Sequence, residues 1–334
     1  MDDLGDALVT FALILPLTVP LRDLSAEEED KWAALFAQKG DILSHYIAGI
    51  IEGDESIKVP KENRSKKGKL LYPSITITFA SKYLPLAELL ASLLGDTINK
   101  TNGKWVGLTI NVLSNLHFLA KILNGKFRTP KIEALHRLRM WLNHYGKFSP
   151  IHPLPLDTSP LVSNAWLSGI IETDSNFLIS FLINSSLLKL KKKRGIAYSI
   201  HLTWRFIQRK EYHNESIFGS SYLNILEQIA FFLKVKKVND ITRKRNLYYT
   251  EKGWLVKITS IDSRERLINY LDQVPMLSSK YLDYINRKRG TAHNRVSSRS
   301  YRTIIGTKEL IGLKESMNNK RTDFDWNHLN PYKL

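Results

Sequence analysis

Apolar and polar residues change period several times along the chain, and the changes fall into two matching series. Ile47, Ile50 and Ile51 form an apolar stripe at helical spacing, which predicts a helix from Ile42 to Asp54 capped by Asp41. A short strand is expected at residues 56–59. Ser74-Ile75-Thr76-Ile77-Thr78-Phe79 then alternates strictly, the period of a strand with one wet face. Leucines at helical spacing follow over residues 83–94, a strand over 104–110, and helices over 114–122 and from Pro130 to His144, proline being well placed in a first helical turn.

The same order recurs downstream. Strands between Asn176 and Leu190 and between Tyr198 and Phe206 answer the first alternating pair, Tyr222-Leu223-Asn224 answers Tyr83-Leu84-Pro85, and Met276-Leu277-Ser278-Ser279-Lys280 answers Phe127-Arg128-Thr129-Pro130-Lys131. The separations grow along the chain: 120 residues from Asp54 to Asp174, 139 from Tyr83 to Tyr222 and 149 from Lys131 to Lys280. Insertions between matched elements are the mark of one domain present twice. Each half reads helix, strand, strand, helix, strand, helix, helix. That is an α+β arrangement of two pseudo-symmetric copies, each a layer of helices on an antiparallel sheet. The expected division is an N-terminal extension at 1–40, domains at 41–146 and 164–334, and a linker at 147–163 carrying Pro150, Pro153, Pro155 and Pro160.

At the head of each copy stands a nonapeptide, Ile47-Ala48-Gly49-Ile50-Ile51-Glu52-Gly53-Asp54-Glu55 and Leu167-Ser168-Gly169-Ile170-Ile171-Glu172-Thr173-Asp174-Ser175. Small residues within an apolar run suit a helix that another backbone approaches closely, and each run ends by presenting an acid. Two positions on a helix separate side chains by about 200°, so Glu52 and Glu172 cannot readily share the task of Asp54 and Asp174, and are expected to be structural.

Charge narrows the partners. The 334 residues hold 49 Lys and Arg against 32 Asp and Glu, a net charge of +17, which favours a polyanion. Cysteine is absent, which excludes disulfides, thiolate zinc and thiol nucleophiles. The nine histidines show no ligand spacing, and no phosphate-binding glycine loop or serine nucleophile motif is present. The apolar stretch Ala7–Leu21 is short for a membrane span, is broken by Pro16 and Pro20, and follows Asp2, Asp3 and Asp6, so it is expected neither to span a membrane nor to target one. Ser25 and the acids after it predict a further helix to Lys39. On the strands, Ser56, Lys58, Thr76 and Thr78 in one copy, and Asn176, Ser180, Asn184, His201, Thr203 and Arg205 in the other, share the polar parity. Alternation alone reads first as an ordinary solvated sheet face. Such a face, if concave, also suits base edges in a major groove, and Lys191-Lys192-Lys193-Arg194 would lie at a hairpin near phosphates. Arg287-Lys288-Arg289 reads as a basic helix edge.

The paired nonapeptides, the duplicated body and the lysines of Thr129-Pro130-Lys131 and Ser278-Ser279-Lys280 resemble the LAGLIDADG homing endonucleases and intron maturases over residues 42–334. The resemblance implies a monomer whose signature helices pack through Ala48, Gly49, Ser168 and Gly169, with one concave sheet per half-site of a double-stranded DNA target. It implies two or three Mg²⁺ ions held by Asp54 and Asp174 with backbone oxygens of Gly53 and Thr173. Lys131 and Lys280 would stand in the solvent pocket beside them. The implied activity is that of an intron-encoded, site-specific endonuclease cutting both strands across the minor groove to leave 3′ overhangs. The alternative is a maturase that assists splicing of its host group I intron RNA with cleavage weakened or lost. An organellar location, in a mitochondrion, is implied by the resemblance alone. The ninth signature position departs from the family's glycine: Glu55 and Ser175 stand where a left-handed residue is expected, at a cost of about 1 kcal/mol each.

Overall fold

The computed structural model describes residues 40–53, 56–62, 64–94, 97–101, 103–183, 197–213, 219–244, 250–294 and 299–332. The N-terminal extension, Asp54, Glu55, Asn184 and Lys191–Arg194, on which several expectations rest, lie outside these residues.

Helix α1 is described over residues 40–53, and Asp41 is already helical there instead of capping it from outside. There its carboxylate pairs with Lys126 at 2.5 Å. Strands β1 (Ser56–Lys58) and β2 (Ser74–Ala80), helix α2 (Leu84–Leu94), strands β3 (Thr97–Thr101) and β4 (Trp105–Ile110), and helices α3 (Leu113–Leu123) and α4 (Ile132–Tyr145) complete the first half. The second half repeats the sequence: α5 (Trp166–Asp174), β5 (Ser175–Ile183), β6 (Ala197–Arg209), α6 (Leu223–Phe232), β7 (Asn239–Lys244), β8 (Thr250–Ile258), α7 (Ile261–Gln273) and α8 (Lys280–His293). Helix α9 (Ile304–Glu315) has no counterpart and packs on α8 and β5.

Both sheets are antiparallel and have the same order, β1-β2-β4-β3 and β5-β6-β8-β7. Each therefore has one strand more than expected. The missed strands, β3 and β7, are edges whose sequences, Thr-Ile-Asn-Lys-Thr and Asn-Asp-Ile-Thr-Arg-Lys, hold a single large apolar residue each, so no apolar alternation marks them.

The sheet residues facing the helices form the core, with Ile75, Ile77, Val106, Leu108 and Ile110 answered by Phe177, Leu202, Trp204, Phe206, Val256 and Ile258. Residues 146–160 take up neither helix nor strand, yet they are anchored. Asn143 exchanges hydrogen bonds with both backbone groups of Ile151, and Asp157 meets the Arg128 guanidinium at 2.7 Å. The connection is thus pinned to the first half and does not behave as a free tether. Arg287, read as part of a basic edge, is instead completely buried in α8 with its guanidinium over Phe177.

Candidate active site

The two signature helices touch along their backbones. A Cβ placed on Gly49 would lie 2.3 Å from the carbonyl oxygen of Trp166, and one on Gly169 would lie 2.1 Å from that of Tyr46. Further along, Gly53 faces the side chain of Thr173 so closely that its own Cβ would overlap it. The helices hence run side by side with their C-terminal ends together, and only hydrogen fits at the crossing. Ala48 and Ser168 are fully buried beside these glycines.

Glu52 and Glu172 lock this arrangement in a nearly symmetric way. Glu52 accepts from the backbone amides of Arg128 and Thr129, from the Thr129 hydroxyl at 2.6 Å and from the Trp166 indole of the opposite half at 2.5 Å. Glu172 accepts from the amides of Leu277 and Ser278, from the Ser278 hydroxyl and from the Tyr46 phenol of the opposite half at 2.8 Å. Each carboxylate therefore ties its signature helix to the loop that starts α4 or α8 and also to the other domain. A negative group at a helix N-terminus is favoured by the exposed amides there. Burial pushes the Glu52 carboxyl up to about 7, against the pull of its donors. The structural role expected of both glutamates is what the geometry gives them.

Lys131 and Lys280 open α4 and α8 and reach back to the ends of the signature helices. Lys131 Nζ donates to the carbonyl of Ile51 at 2.8 Å; Lys280 Nζ donates to Ile171 at 3.1 Å and Thr173 at 3.2 Å. Lys280 lines a cavity of about 170 Å³ together with Phe79, Tyr83, Thr173 and Ser278. Burial draws its ammonium down to about 8, while Glu172, Asp174 and Asp283 resist. Asp174 ends α5, and its Oδ2 accepts from Gln208 Nε2 at 2.9 Å. Gln208 lies at a core-facing position of β6, and its amide oxygen accepts from the backbone of Arg209. No motif points to it. The available signal is a glutamine at the apolar parity of an otherwise apolar strand.

At the ninth position of the second copy the expected strain is absent. Ser175 has φ −118° and ψ 163°, ordinary extended backbone, because β5 begins there without a turn. Its hydroxyl donates to the carbonyl of Ile171 at 2.7 Å and so closes the helix end that a left-handed glycine would otherwise release.

On the wet faces of the sheets, Ser56, Lys58, Thr78, Asn176, Ser180, His201 and Arg205 are exposed and Thr76 is half-buried. Thr203 departs from the set: it pairs with Leu178 in the middle of the ladder and is only 7% exposed, too enclosed to meet a base edge. The registers Ser56↔Thr76↔Thr109 and Asn176↔Arg205↔Lys257 are equivalent rows of the two sheets. One is neutral and hydroxyl-bearing, the other cationic.

The family model described as LAGLIDADG endonuclease matches residues 47–142 and 167–289, one segment for each half. The chain belongs to the LAGLIDADG endonuclease family. Among its LAGLIDADG relatives, an intron-encoded DNA endonuclease, aI3, of Saccharomyces cerevisiae is 32% identical over 309 residues, 86% of this chain and 72% of that protein. A probable intron-encoded DNA endonuclease, aI1, of Mycosarcoma maydis is 36% identical over 104 residues, 31% of this chain and 80% of the relative. Among solved structures, the I-SmaMI LAGLIDADG homing endonuclease bound to cleaved DNA superposes with a TM-score of 0.59 at 16% identity, over 83% of this chain and 97% of that one. The I-AabMI meganuclease bound to uncleaved DNA gives 0.56 at 16% identity, over 82% and 99%. These structural likenesses concern the LAGLIDADG fold.

Proposed function

We propose that the protein is a site-specific, intron-encoded DNA endonuclease in which each sheet reads one half of a duplex target and the joined helix ends cut between them. The observation that carries this reading is the meeting of the two signature helices at Gly49, Gly169, Gly53 and Thr173, which sets Gly53 of the first motif against the residue before Asp174 of the second. A duplex laid across both sheets would meet hydroxyls at Ser56, Thr76 and Thr109 and a cationic row at Asn176, Arg205 and Lys257. Arg and Lys are the usual readers of guanine in the major groove, and asparagine of adenine.

The donor set suits a hard cation. Asp174 and the carbonyl of Thr173 offer oxygen only, and among the described residues no group of three His, Asp or Glu competes with them. Asp54, Asp174 and the backbone oxygens of Gly53 and Thr173 would hold Mg²⁺. When bound, the metal would supply Lewis-acid stabilisation of the scissile phosphate and a more acidic water. The chain's own groups do the rest. Gln208 fixes the orientation of the Asp174 carboxylate, and Lys131 and Lys280 place positive charge beside the helix ends where the phosphate would gain negative charge. In the overall hydrolysis a water oxygen bonds to phosphorus, the bond from phosphorus to the 3′ oxygen breaks, and the proton lost by water balances the one the 3′ oxygen gains.

The test is incubation of the purified protein with Mg²⁺ and DNA carrying the intronless exon junction of its host gene, beside Asp54→Asn and Asp174→Asn. Double-strand cleavage by the wild type, lost in both variants while binding persists, is expected. An intact junction after binding by the wild type would overturn the reading. The location implied by the relatives, an organelle that retains such introns, would be checked by fractionation.

A further inference from the structure

The turn that presents Lys280 is held from two sides. From the inside, Glu172 accepts from the amides of Leu277 and Ser278 and from the Ser278 hydroxyl, whose oxygen in turn accepts from the Lys280 amide at 3.0 Å. From the outside, the segment after α9 crosses the same turn. His328 Nε2 lies 3.0 Å from the Leu277 carbonyl oxygen, and such an oxygen only accepts, so Nε2 carries the proton. Both polar groups of the Leu277 backbone are thereby engaged, one by the signature helix and one by the segment beyond α9.

That segment is fastened along its length. The backbone amide of Asn318 donates to Asp283 at 3.1 Å, its side chain donates to the Phe177 carbonyl at 3.1 Å, and Arg321 pairs with Asp283 at 3.1 Å. Leu329 is fully buried. Between these anchors the His328 ring is clamped. It stacks on Tyr281 with centroids 4.5 Å apart and on Trp326 at 5.7 Å, and Trp326 stacks in turn on Phe324. A ring gripped on both faces keeps one orientation, so its hydrogen bond to Leu277 is aimed in advance. The first half secures its matching turn by other means. Arg128 corresponds to Leu277, since the amide of each serves its signature glutamate. The Arg128 guanidinium donates to the carbonyl and the hydroxyl of Ser159, in the segment after α4. Leucine has no such group to offer, and here the following segment supplies the donor itself, as an imidazole.

We infer that residues 317–332 form a strap that aims Lys280, with His328 as its positioning residue: the strap fixes the turn opening α8, and its bond to Leu277 serves strand cleavage and not the capture of DNA. This rests on the endonuclease reading above. Lys280 Nζ reaches the carbonyls of Ile171 and Thr173 at the end of the second signature helix, so any play in the turn is passed to that ammonium group. The strap itself is poorly suited to phosphate, since Asp323 and Asp325 are both exposed on it. A reacting group displaced by about 1 Å loses about 10²-fold in rate, and losing one of the two ties on the turn is expected to lower the rate roughly tenfold.

The experiment compares wild type, His328→Phe and His328→Gln in three measurements: single-turnover cleavage of the target duplex with Mg²⁺, affinity for that duplex, and amide hydrogen exchange over residues 276–282. Phenylalanine keeps a ring between Tyr281 and Trp326 but loses the donor, whereas glutamine returns a donor near the place of Nε2. His328→Phe should cut roughly tenfold more slowly at saturating protein, with unchanged affinity and faster exchange in the turn, and His328→Gln should recover most of the rate and the protection. Should His328→Phe fold poorly, Trp326→Leu opens one side of the clamp with the imidazole in place and should lower the rate in the same sense; a wild-type rate there counts against the strap. A wild-type rate in folded His328→Phe, a loss that glutamine does not restore, unchanged exchange in the turn, or a loss of rate matched by a loss of affinity would each overturn the inference and leave the endonuclease reading intact. Absence of any cleavage by the wild type overturns the endonuclease reading itself, and this inference with it.

Discussion

Gly169→Ala adds one methyl group where two helix backbones meet. Its Cβ would stand 2.1 Å from the carbonyl oxygen of Tyr46, 2.9 Å from the carbonyl carbon and 3.2 Å from the Cα of Gly49. Contacts of this kind end near 3.0 Å, so α1 and α5 would have to part by about 1 Å. No flexible side chain can give way, because every obstacle is backbone. Overpacking of this sort costs about 1–3 kcal/mol, and backbone obstacles put this site at the upper end. Alanine returns about 1 kcal/mol of helix propensity, leaving a net loss of about 2 kcal/mol.

Gly312→Ala in α9 supplies the control. Nothing lies within 4 Å of its added Cβ, so the propensity gain of about 1 kcal/mol stands alone and the sign reverses. The two substitutions are chemically identical and should differ by about 3 kcal/mol, read as urea midpoints at unchanged slope. Cleavage should fall by about 10²-fold in Gly169→Ala, since a carboxylate displaced by 1 Å is badly placed for the reaction, and be unchanged in Gly312→Ala. A Gly169→Ala protein as stable as wild type and cutting at the wild-type rate would refute the close-packed interface.

Among the described residues, Arg287 has no hydrogen-bond partner for any of its three guanidinium nitrogens, and the charge beside it is another cation, Arg264; burial pulls its pKa down to about 9. Arg287→Met should therefore raise the urea midpoint, by about 1–4 kcal/mol, and a loss of stability would show that the cation is compensated after all. Glu172→Ala strands the Leu277 and Ser278 amides and the Tyr46 phenol, and should cost about 3 kcal/mol or more, with a double-mutant cycle against Tyr46→Phe giving clear coupling. Glu52 gives a pH signature. Its folded value, about 7, is above the ordinary 4.5, so between these the native state holds the extra proton. Stability should decline as pH rises from about 4.5 to about 7, and Glu52→Gln should flatten that slope in metal-free urea titrations; an unchanged slope would show that Glu52 titrates normally.

The duplication was legible because both copies keep the residues that packing requires at fixed places: Gly49 and Gly169 at the crossing, Glu52 and Glu172 at the locks, and alternating strands beside them. The boundaries of α2, α3 and α4 were legible to within a residue or two for the same reason, since each buries a leucine or isoleucine stripe. What escaped were features whose signal lies across the fold. The edge strands β3 and β7 are specified by the ladder of β4 and β8, not by an apolar face of their own. Gln208 gains its meaning only from Asp174, 34 residues earlier. Arg287 looked like surface because its neighbours Lys288 and Arg289 are charged, yet one helix turn rotates it under Phe177.

The ninth position of the signature looked from the sequence like a strained break in the family's pattern, and in the second copy that strain is absent. Ser175 is unstrained and satisfies the Ile171 carbonyl, so its presence says nothing against cutting. The electrostatic difficulty lies one residue earlier. A helix C-terminus carries the negative end of the backbone dipole, and here two such ends converge, with Asp174 added to one of them. An anion in that position is disfavoured unless cations answer it. Lys131 and Lys280 answer in part, since both ammonium groups reach the end carbonyls, but Lys280 is itself held near the edge of deprotonation by burial. The arrangement therefore favours further positive charge at the junction of the helices, which is where a divalent ion would sit and where a scissile phosphate would need it. On this view the lysines are substitutes that keep the helix ends together before the metal and the DNA arrive, and Lys280→Met should weaken folding of the free protein more than it weakens that of the protein saturated with Mg²⁺ and target DNA. Equal destabilisation in both states, measured by urea unfolding, would place Lys280 outside that role.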